Sequence, residues 1–339
     1  MNATMSLDNK KHYPVMLDQV LSIISPQHGG TFIDCTFGGG GYSRAILKYP
    51  GTKVFAIDRD KITEQYANDL SKKFPDRFNF FRSKFSNLNQ VIHSNINPKA
   101  IIFDLGLSSI QLLDNQRSFS FNSKSFLSME MGINKYTAYN VINSLDKRYL
   151  SNIIKIFGEE KDNRKIAQKI IKRRNVKPIK TSEELASIVN EVKKNYNNYK
   201  KNTATKTFQA IRIFVNQELT ELIIGLILAS QLLSDGGVLV VVSFHSLEDK
   251  IVKNFFNLYS ELNKNPSRYL PFKKKKDGLF KLLSKKPIVP NKKEINENIR
   301  SRSAKLRYAV RNNTPFINSE EFKKNFKNYF KIGEIRLWP

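Results

Sequence analysis

The stretch that decides the fold lies at residues 31–41 and reads Thr31-Phe32-Ile33-Asp34-Cys35-Thr36-Phe37-Gly38-Gly39-Gly40-Gly41. Its first half is an apolar run that predicts a buried strand, and its second half is a glycine loop. Residues 43–48 then have the character of a helix. A strand, a glycine loop and a helix in this order are typical of nucleotide-binding α/β sheets, because glycine lets the backbone approach a ligand closely.

The same alternation extends on both sides of this unit. Further strands are predicted at 54–57, 78–81, 100–103 and 238–243, and further helices at 14–24, from the second strand through residue 70, and at 207–233. Alternating strands and helices form an open parallel sheet, and right-handed crossovers bring the carboxyl ends of its strands to one edge. Ligands of such sheets bind at that edge.

Residues 112–206 interrupt the alternation with polar loops and basic helices. We therefore predict an α/β, Rossmann-like sheet built from 1–111 and 207–339. Residues 112–206 are predicted to form a helical domain inserted between the fourth and fifth strands.

Positive charge is concentrated in two parts of the chain. The 339 residues include 57 Lys and Arg against 30 Asp and Glu, a net charge of +27. Residues 161–206 contribute +10 and residues 264–311 contribute +13, the latter including the run Lys273–Lys276. Aromatic residues lie within or close to these segments, namely Tyr149, Phe157, Tyr196, Tyr199, Tyr269 and Phe272. Basic segments with nearby aromatics favour a nucleic-acid partner, RNA more than the grooves of DNA.

The scarcity of cysteine, histidine and long apolar segments excludes several classes of protein. Cys35 is the only cysteine, so no internal disulfide forms, and four histidines add no zinc pattern; we predict no metal. The longest apolar stretch, 222–233, is too short to cross a bilayer, and residues 1–11 have no signal-peptide core. We therefore expect a soluble cytoplasmic protein with no membrane partner.

A carboxylate follows the second strand at the position that nucleotide-binding sheets use. Asp58 comes twenty residues after Gly38, where it can accept hydrogen bonds from the hydroxyls of an adenosine ribose. The dinucleotide fingerprint needs a third glycine where this chain has Ser43. S-adenosylmethionine has a ribose but no pyrophosphate, so it fits this pattern without that glycine. The alternative is an ordinary turn with Asp58 as a solvated strand end.

Two further candidates lie at predicted strand ends. Asp104 follows the fourth strand beside the glycine loop, where a methyl group would meet its acceptor, so it is the candidate catalytic residue; alternatively it caps the next turn. His245 lies between the fifth strand and a helix whose predicted cap is Ser246, paired with Asp249. It has a structural or a substrate-binding role. Cys35 is expected to be buried and inert, which disfavours methylation at pyrimidine C5, because that reaction needs a thiolate.

The motifs of the chain resemble those of the MraW family, bacterial S-adenosylmethionine-dependent methyltransferases. The resemblance covers nearly the whole chain and lies in the motifs His12-Tyr13-Pro14-Val15-Met16-Leu17, Asp34-Cys35-Thr36-Phe37-Gly38, Ala56-Ile57-Asp58-Arg59-Asp60, Lys84-Phe85-Ser86, Asp104-Leu105-Gly106-Leu107-Ser108-Ser109, Arg117-Ser118-Phe119-Ser120-Phe121, Phe157-Gly158-Glu159-Glu160, Thr207-Phe208-Gln209-Ala210-Ile211-Arg212-Ile213, Ser243-Phe244-His245-Ser246-Leu247-Glu248-Asp249 and Arg300-Ser301-Arg302-Ser303-Ala304-Lys305-Leu306-Arg307.

This resemblance implies a class I methyltransferase fold with an inserted helical domain. The implied activity is methylation of N4 of cytidine 1402, in the decoding region of 16S ribosomal RNA of the small ribosomal subunit. The cofactor contacts that it implies are Gly40, Gly41, Tyr42, Asp58, Phe85, Asp104 and Gln111. Candidate substrate contacts are Ser108, Ser109, Arg212 and His245.

The chain departs from the family pattern at two places. Tyr42 stands where the family usually has histidine. Residues 124–132, Lys-Ser-Phe-Leu-Ser-Met-Glu-Met-Gly, replace a family run that carries acids and an arginine. Two alternative functions stay open: methylation of another RNA or of a protein amine, and a catalytically inactive RNA-binding factor of ribosome assembly. The sequence also leaves open whether the chain forms a homodimer.

Overall fold

The computed structural model describes residues 14–93, 96–193, 203–260, 278–316 and 318–335. Its strands are β1 Gly30–Asp34, β2 Thr52–Asp58, β3 Phe78–Arg82, β4 Pro98–Asp104, β5 Val238–Ser243, β6 Phe280–Lys281 and β7 Lys305–Arg311. Its helices are α1 Leu17–Ile24, α2 Gly41–Leu47, α3 Thr63–Lys73, α4 Leu88–Val91, α5 Ser109–Leu113, α6 Ala138–Ser144, α7 Lys147–Gly158, α8 Asn163–Arg174, α9 Ser182–Lys193, α10 Thr205–Asn216, α11 Glu218–Leu232, α12 Ser246–Tyr259, α13 Lys292–Glu297, α14 Glu320–Asn325 and α15 Lys327–Gly333.

The seven strands form one sheet in the order β3-β2-β1-β4-β5-β7-β6. Strands β1 to β5 pair with one another in parallel, and β7 runs antiparallel to both β5 and β6. The order reverses direction at β1, which has β2 on one side and β4 on the other. The carboxyl ends of β1, β2, β4 and β5 therefore meet at one edge, where ligands of such sheets bind.

Both faces of the sheet are buried, which explains the uninterrupted apolar runs of the central strands. In β4, Ile101 and Phe103 pack into one hydrophobic cluster, while Ala100 and Ile102 pack into the other. The cluster around Ala100 includes residues of α1, α2 and α3. The cluster around Ile101 includes residues of α6 to α12.

The chain between β4 and β5 is helical, as the interruption of the pattern predicts. Helix α10 packs along α7, and α7 packs along α8. Buried residues of these helices, such as Ile153 and Ile166, belong to the same cluster as Ile33 of β1. The helical segment thus shares its core with the sheet, and the division into domains at 111/112 and 206/207 stays a prediction.

The prediction of one helix over 207–233 is wrong. The helix breaks at Gln217, whose backbone is left-handed with φ of 54°, and its two halves are bent by 53°. Beyond the break, Glu218 turns back and accepts hydrogen bonds from Nε and Nη2 of Arg212 at 2.9 and 2.8 Å. The side chain of Asn216 also accepts a bond from the backbone N–H of Met131. These distant contacts outweigh the helical spacing of the sequence.

Among the described residues, no single helix combines the length and apolar composition of a membrane span; only α10 and α11 taken together meet that test, and they are the bent pair.

Candidate active site

A cleft opens at the sheet edge where β1, β2, β4 and β5 end. Its walls come from the glycine loop, the turns that follow β2, β3 and β4, the start of α11, and the segments around Pro14 and Arg300. Eight of the predicted site residues line it: Gly41, Tyr42, Asp58, Phe85, Asp104, Ser108, Ser109 and Gln111. Arg300, which belongs to the last family motif, also lines it.

Glycines are required in the loop after β1 by conformation and by space. Gly38 and Gly40 have φ of 52° and 76°, in the left-handed region that favours glycine. A Cβ atom on Gly41 would lie 2.3 Å from Cγ of Pro14. Gly40 does not line the cleft; it precedes α2 and shapes the turn. Glycine at position 41 therefore lets the loop pack directly against Pro14, and both residues line the cleft.

Asp58 anchors this loop. One carboxylate oxygen accepts the N–H of Gly38 at 2.7 Å, and the other accepts the N–H of Asp60 at 2.9 Å. Burial raises the pKa of Asp58 to about 6, although the two backbone N–H groups act in the opposite direction. Each oxygen keeps a second lone pair, so the carboxylate can still accept hydrogen bonds from two vicinal hydroxyls.

Asp104 has a carboxylate oxygen, Oδ1, that is buried and has no hydrogen-bond partner among the described residues. Its backbone N–H donates to the hydroxyl of Thr36 at 2.7 Å, which joins β4 to the glycine loop. Burial, and then the charges of Asp34 and Glu248, raise the pKa of Asp104 well above its usual range. A buried acceptor with no donor is suited to an amine or a cation of a ligand.

The departure at Ser43 has a structural explanation. Its hydroxyl donates to Oδ2 of Asp34 at 2.7 Å, and both side chains are fully buried. The pKa of Asp34 is raised by burial, with the hydrogen bond from Ser43 acting in the opposite direction. A third glycine would remove this donor. Cys35 next to it is buried, as expected, and burial raises the pKa of its thiol well above the usual value.

Tyr42 and Gln111 line the cleft, but their side-chain polar groups have protein partners. The hydroxyl of Tyr42 donates to the carbonyl of Val15. Gln111 accepts the N–H of Ser108 at 3.0 Å, and its amide donates to Oδ2 of Asp60 at 2.8 Å. Phe85 packs edge-on against Phe103, with 5.5 Å between the ring centroids. Cofactor contact by Tyr42, Gln111 and Phe85 stays a prediction.

Sequence reasoning assigned no role to Asp60 or Arg117, although both stand in family motifs. Asp60 is 1% exposed and accepts hydrogen bonds from Nη1 and Nη2 of Arg117 at 2.5 and 2.8 Å. Arg117 also pairs with Asp114. This pair ties the turn after β2 to the segment that follows α5, and it positions Gln111. The only sequence signal for the ion pair between Asp60 and Arg117 was that an acid directly follows Asp58 and Arg59.

The segment 124–132 is held through its backbone, by the guanidinium of Arg59 and the side chain of Asn216, rather than by the acids of the family pattern. Arg59 donates to the carbonyls of Gly132, Asn216 and Ile133 at 2.6, 2.6 and 3.1 Å. Gly132 has φ of 105°, and a Cβ there would lie 2.4 Å from the carbonyl oxygen of Arg59. The loss of the acids therefore leaves this segment docked, with Met131 lining the cleft.

A second cavity adjoins the cleft. The two share Leu105, Gly106, Leu107, Phe244 and Arg300 as lining residues. The other residues that line the second cavity are Leu112, Phe119, Phe121, Met129, Thr205, Phe208, Gln209, Arg212 and His245. Its wall is thus aromatic and apolar with a few polar side chains, which is typical of a pocket for a planar organic group.

Arg212 and His245 meet in a charged network at this second cavity. The prediction that Ser246 caps α12 is wrong: His245 is the cap residue, and its Nδ1 accepts the N–H of Glu248 at 3.4 Å. Glu248 in turn accepts the N–H of Phe244 at 2.8 Å. Although burial acts to raise the pKa of Glu248, its neighbours, His245 first, lower it below the usual value.

The same network has the residue types of a metal site. Ligand atoms of Glu218, His245 and Glu248 all lie within 4.8 Å of one another. Both oxygens of Glu218, however, accept hydrogen bonds from Arg212, and Oε2 of Glu248 accepts two backbone N–H groups. The guanidinium of Arg212 therefore supplies the positive charge that these carboxylates need.

Ser108 and Ser109 lie at the start of α5. The hydroxyl of Ser108 accepts the N–H of Gln111 at 3.2 Å and caps the helix. The hydroxyl of Ser109 accepts a hydrogen bond from Nη1 of Arg300. Both serines line the cleft, but not the second cavity. Their contact with a substrate stays a prediction.

Part of the predicted RNA surface lies outside the described residues. This applies to Lys273–Lys276, Tyr196, Tyr199, Tyr269 and Phe272, and also to His12 and Tyr13. Of the remaining aromatics, Phe157 is buried, whereas Tyr149 is 42% exposed.

A Rossmann-like sheet with a glycine loop, a carboxylate at the end of β2 and an adjoining aromatic cavity is typical of enzymes that bind a nucleoside-containing cofactor. The family model of the MraW methylase family matches residues 9–312, and the chain belongs to that family. It is therefore a methyltransferase, and its cofactor is S-adenosylmethionine.

Two curated relatives agree with this membership. The chain is 44% identical to the ribosomal RNA small subunit methyltransferase H of Ehrlichia ruminantium strain Welgevonden, over 87% of this chain and 98% of the relative. It is 45% identical to the protein of the same name from the Wolbachia strain wRi, over 87% of this chain and 97% of that relative. A solved rRNA methylase from Streptococcus thermophilus aligns over 86% of this chain and 96% of its own, at 11% identity and a TM-score of 0.34.

Proposed function

We propose that this protein transfers the methyl group of S-adenosylmethionine to N4 of a cytidine in 16S ribosomal RNA of the small ribosomal subunit, cytidine 1402 by family resemblance. The observation that carries the proposal is the junction of the two cavities at Leu105–Leu107 and Phe244. One cavity has the features of a cofactor site, and the other has the lining of a base pocket. Ribosomal RNA as substrate is supported by the names of the relatives.

The cofactor cleft suits S-adenosylmethionine on its own chemistry. When bound, this cofactor supplies a methyl group on a positively charged sulfur. Asp58 would accept hydrogen bonds from the ribose hydroxyls, and the backbone at Gly41 would lie against the ligand. Phe85 offers an apolar surface. Asp104 lines the cleft with a carboxyl oxygen that has no partner among the described residues, and such an acceptor favours a ligand that carries positive charge.

The acceptor chemistry depends on Asp104. The amine of cytosine is a weak nucleophile because its lone pair is delocalised into the ring. A carboxyl oxygen without a partner can accept a hydrogen bond from that amine and hold it in line with the methyl group. Asp104 stands beside Leu105, the first residue of the junction, so it is close to both cavities. The buried thiol of Cys35 favours nitrogen over ring carbon as the acceptor, because C5 methylation needs an accessible thiolate.

Residues of the segment 112–206, and of the chain that follows it, contribute to the second cavity. Phe119 and Phe121 follow α5, Phe208 and Arg212 belong to α10, and His245 caps α12. Phe121 and Phe208 are in edge-to-face contact, with centroids 4.8 Å apart. We infer that residues 112–206 form a substrate-recognition domain whose aromatic side chains contact a base that has left its stack, as enzymes acting on bases require. The place of action is the cytoplasm, where ribosomal subunits are found.

The test uses methyl-labelled S-adenosylmethionine and small ribosomal subunits that lack this modification. We expect label in RNA, recovered as N4-methylcytidine after digestion to nucleosides. Label in a ribosomal protein, or in another nucleoside, would contradict the proposed acceptor. Cofactor binding without any transfer would instead indicate an RNA-binding factor. The Asp104→Asn variant serves as the matched control for transfer.

A further inference from the structure

Arg300 lies where the two cavities meet. It belongs to the short helical turn Ile299–Ser303 between α13 and β7, and its side chain lines both the cofactor cleft and the second cavity. Nη1 donates to the hydroxyl of Ser109, which fixes the guanidinium against the start of α5. The residue itself is exposed to solvent.

The turn that carries Arg300 is firmly built. The backbone N–H of Arg300 donates to Oδ1 of Asn298 at 3.2 Å. Ser301 is fully buried and donates through its hydroxyl to the carbonyl of Asn298 at 2.8 Å. The turn leads directly into β7, which pairs with β5 of the sheet. Arg300 is therefore held by the same sheet that positions Phe244.

The positive charge of Arg300 is not neutralised by the described part of the chain, unlike that of the other arginines nearby. Arg212 is paired with Glu218, and Arg117 is paired with Asp60 and Asp114. Arg59 is surrounded by three backbone carbonyls and by the charges of acidic neighbours. No carboxylate among the described residues forms an ion pair with Arg300, and the one partner of its guanidinium there is the neutral hydroxyl of Ser109. Four of its five N–H groups remain for an anion.

We propose that Arg300 binds a backbone phosphate of the RNA strand beside the acceptor nucleotide, and so positions the target base in the second cavity. This inference rests on the proposed function. An arginine fork binds two phosphate oxygens at once, which sets orientation as well as affinity. The second cavity begins at Arg300, so a phosphate held there leaves the attached nucleotide next to the pocket. Arg300 thereby acts as a positioning residue, not as a catalytic one.

The main alternative is that Arg300 binds the carboxylate of the cofactor, because it also lines the cleft. A phosphate is favoured because Arg300 is exposed and faces the second cavity as well. The two sources of the anion are separated by experiment, since loss of a cofactor contact changes the affinity for S-adenosylmethionine in the absence of RNA.

The test compares Arg300→Gln and Arg300→Lys with Arg302→Gln, a matched control. Arg302 is an exposed arginine of the same turn and lines neither cavity. For each variant, cofactor affinity is measured by calorimetry without RNA, KM and kcat are measured on small subunits, and binding to those subunits is followed against salt concentration.

For Arg300→Gln we expect an increase in KM for the subunit of about tenfold or more, because charge-assisted hydrogen bonds to phosphate are lost. Cofactor affinity should change by less than about twofold. The slope of log affinity against log salt should decrease by about one, as expected for one lost phosphate contact. Arg300→Lys should keep the salt slope and recover part of the KM. Arg302→Gln should leave cofactor affinity and KM near wild type.

Weaker cofactor binding with an unchanged KM for the subunit would overturn the proposal in favour of the cofactor carboxylate. Equal effects of Arg300→Gln and Arg302→Gln would overturn it in favour of a diffuse charge effect. Failure of the proposed function is distinguishable, because the wild-type protein would then transfer no methyl group to RNA, whereas the salt slope of subunit binding is read without any transfer.

Discussion

Replacement of Asp104 by Asn tests separately the contributions of this residue to methyl transfer and to the stability of the fold. The substitution keeps the size of the side chain and one acceptor oxygen but removes the charge. In the free protein, Oδ1 is buried and has no partner in the described ranges of the chain, and Asp34 and Glu248 add like charges nearby. At neutral pH, the folded chain therefore bears the cost of an unpaired buried carboxyl, on the order of 1–3 kcal/mol for such a polar group.

The expected effect of Asp104→Asn on stability depends on whether the side chain is exposed in an open cleft or buried. An exposed Asp104 would be nearly neutral on substitution, within about 1 kcal/mol. Because the carboxyl is buried and its pKa is raised, its contribution to stability is fully present below the unfolded pKa and is lost as pH rises through the folded pKa. Asp104→Asn should remove this loss, so the free variant should melt at a higher temperature than wild type at pH 7, with a smaller difference at pH 4.

Methyl transfer should respond in the opposite direction. Without the carboxylate that holds the amine or the positively charged end of the cofactor, we expect a fall of about a hundredfold, since misplaced reacting groups cost that much. The assay is single-turnover transfer to small subunits at saturating cofactor, together with thermal melting at both pH values. Near-normal turnover would refute the catalytic role, and a lower melting temperature would show that Asp104 mainly supports the turn after β4.

Of the further predictions, one concerns cofactor affinity, two concern stability and one concerns the RNA surface. Burial raises the pKa of Asp58 to about 6, so cofactor affinity measured by calorimetry should fall between pH 7 and pH 5 as the carboxylate gains a proton, and Asp58→Ala should weaken it at least tenfold at pH 7 in a folded protein. Arg117→Ala leaves Asp60 buried without its cation and should cost about 3 kcal/mol in denaturant unfolding; a cost below about 1 kcal/mol would contradict this. Gln217→Gly should raise stability by about 0.5–1 kcal/mol, because glycine adopts the left-handed conformation without strain, whereas Gln217→Val should lower it. Charge reversal of Lys273–Lys276, which lie outside the described residues, should reduce the salt dependence of subunit binding without altering cofactor affinity; an unchanged salt slope would show that this run only faces solvent.

The strands were predictable because their signal is local. A parallel sheet covered on both faces needs continuous apolar runs, and Val238–Ser243 was predicted at the bounds that the structure has. The cleft was predictable for the same reason, since Asp58 and Asp104 end strands whose carboxyl ends must meet. The broken helix was not predictable from its apolar spacing, because the left-handed residue Gln217 carries no glycine or proline signal.

The partners of the site residues were beyond the reach of sequence reasoning. Gln111 and Tyr42 were predicted as ligand contacts, yet their polar groups bond to Asp60 and to the carbonyl of Val15. Asp60 and Arg117 are 57 residues apart, and no periodicity relates them. Such pairs form only when the turn after β2 and the segment after α5 are packed together.

The sequence alone determined the alternation of strands and helices, the helical character of the chain between β4 and β5, the two strand-end carboxylates and the membership of a methylase family. These features depend on residue types and on short-range spacing, which are local properties of the sequence and do not require the chain to be folded. Only the tertiary structure decided that His245 rather than Ser246 caps α12. It also decided that, within the part of the chain that it describes, Asp104 has an oxygen without a partner and no carboxylate pairs with Arg300 between the two cavities. Burial and pairing are properties of groups that meet from distant parts of the chain, so they exist only once the chain has folded.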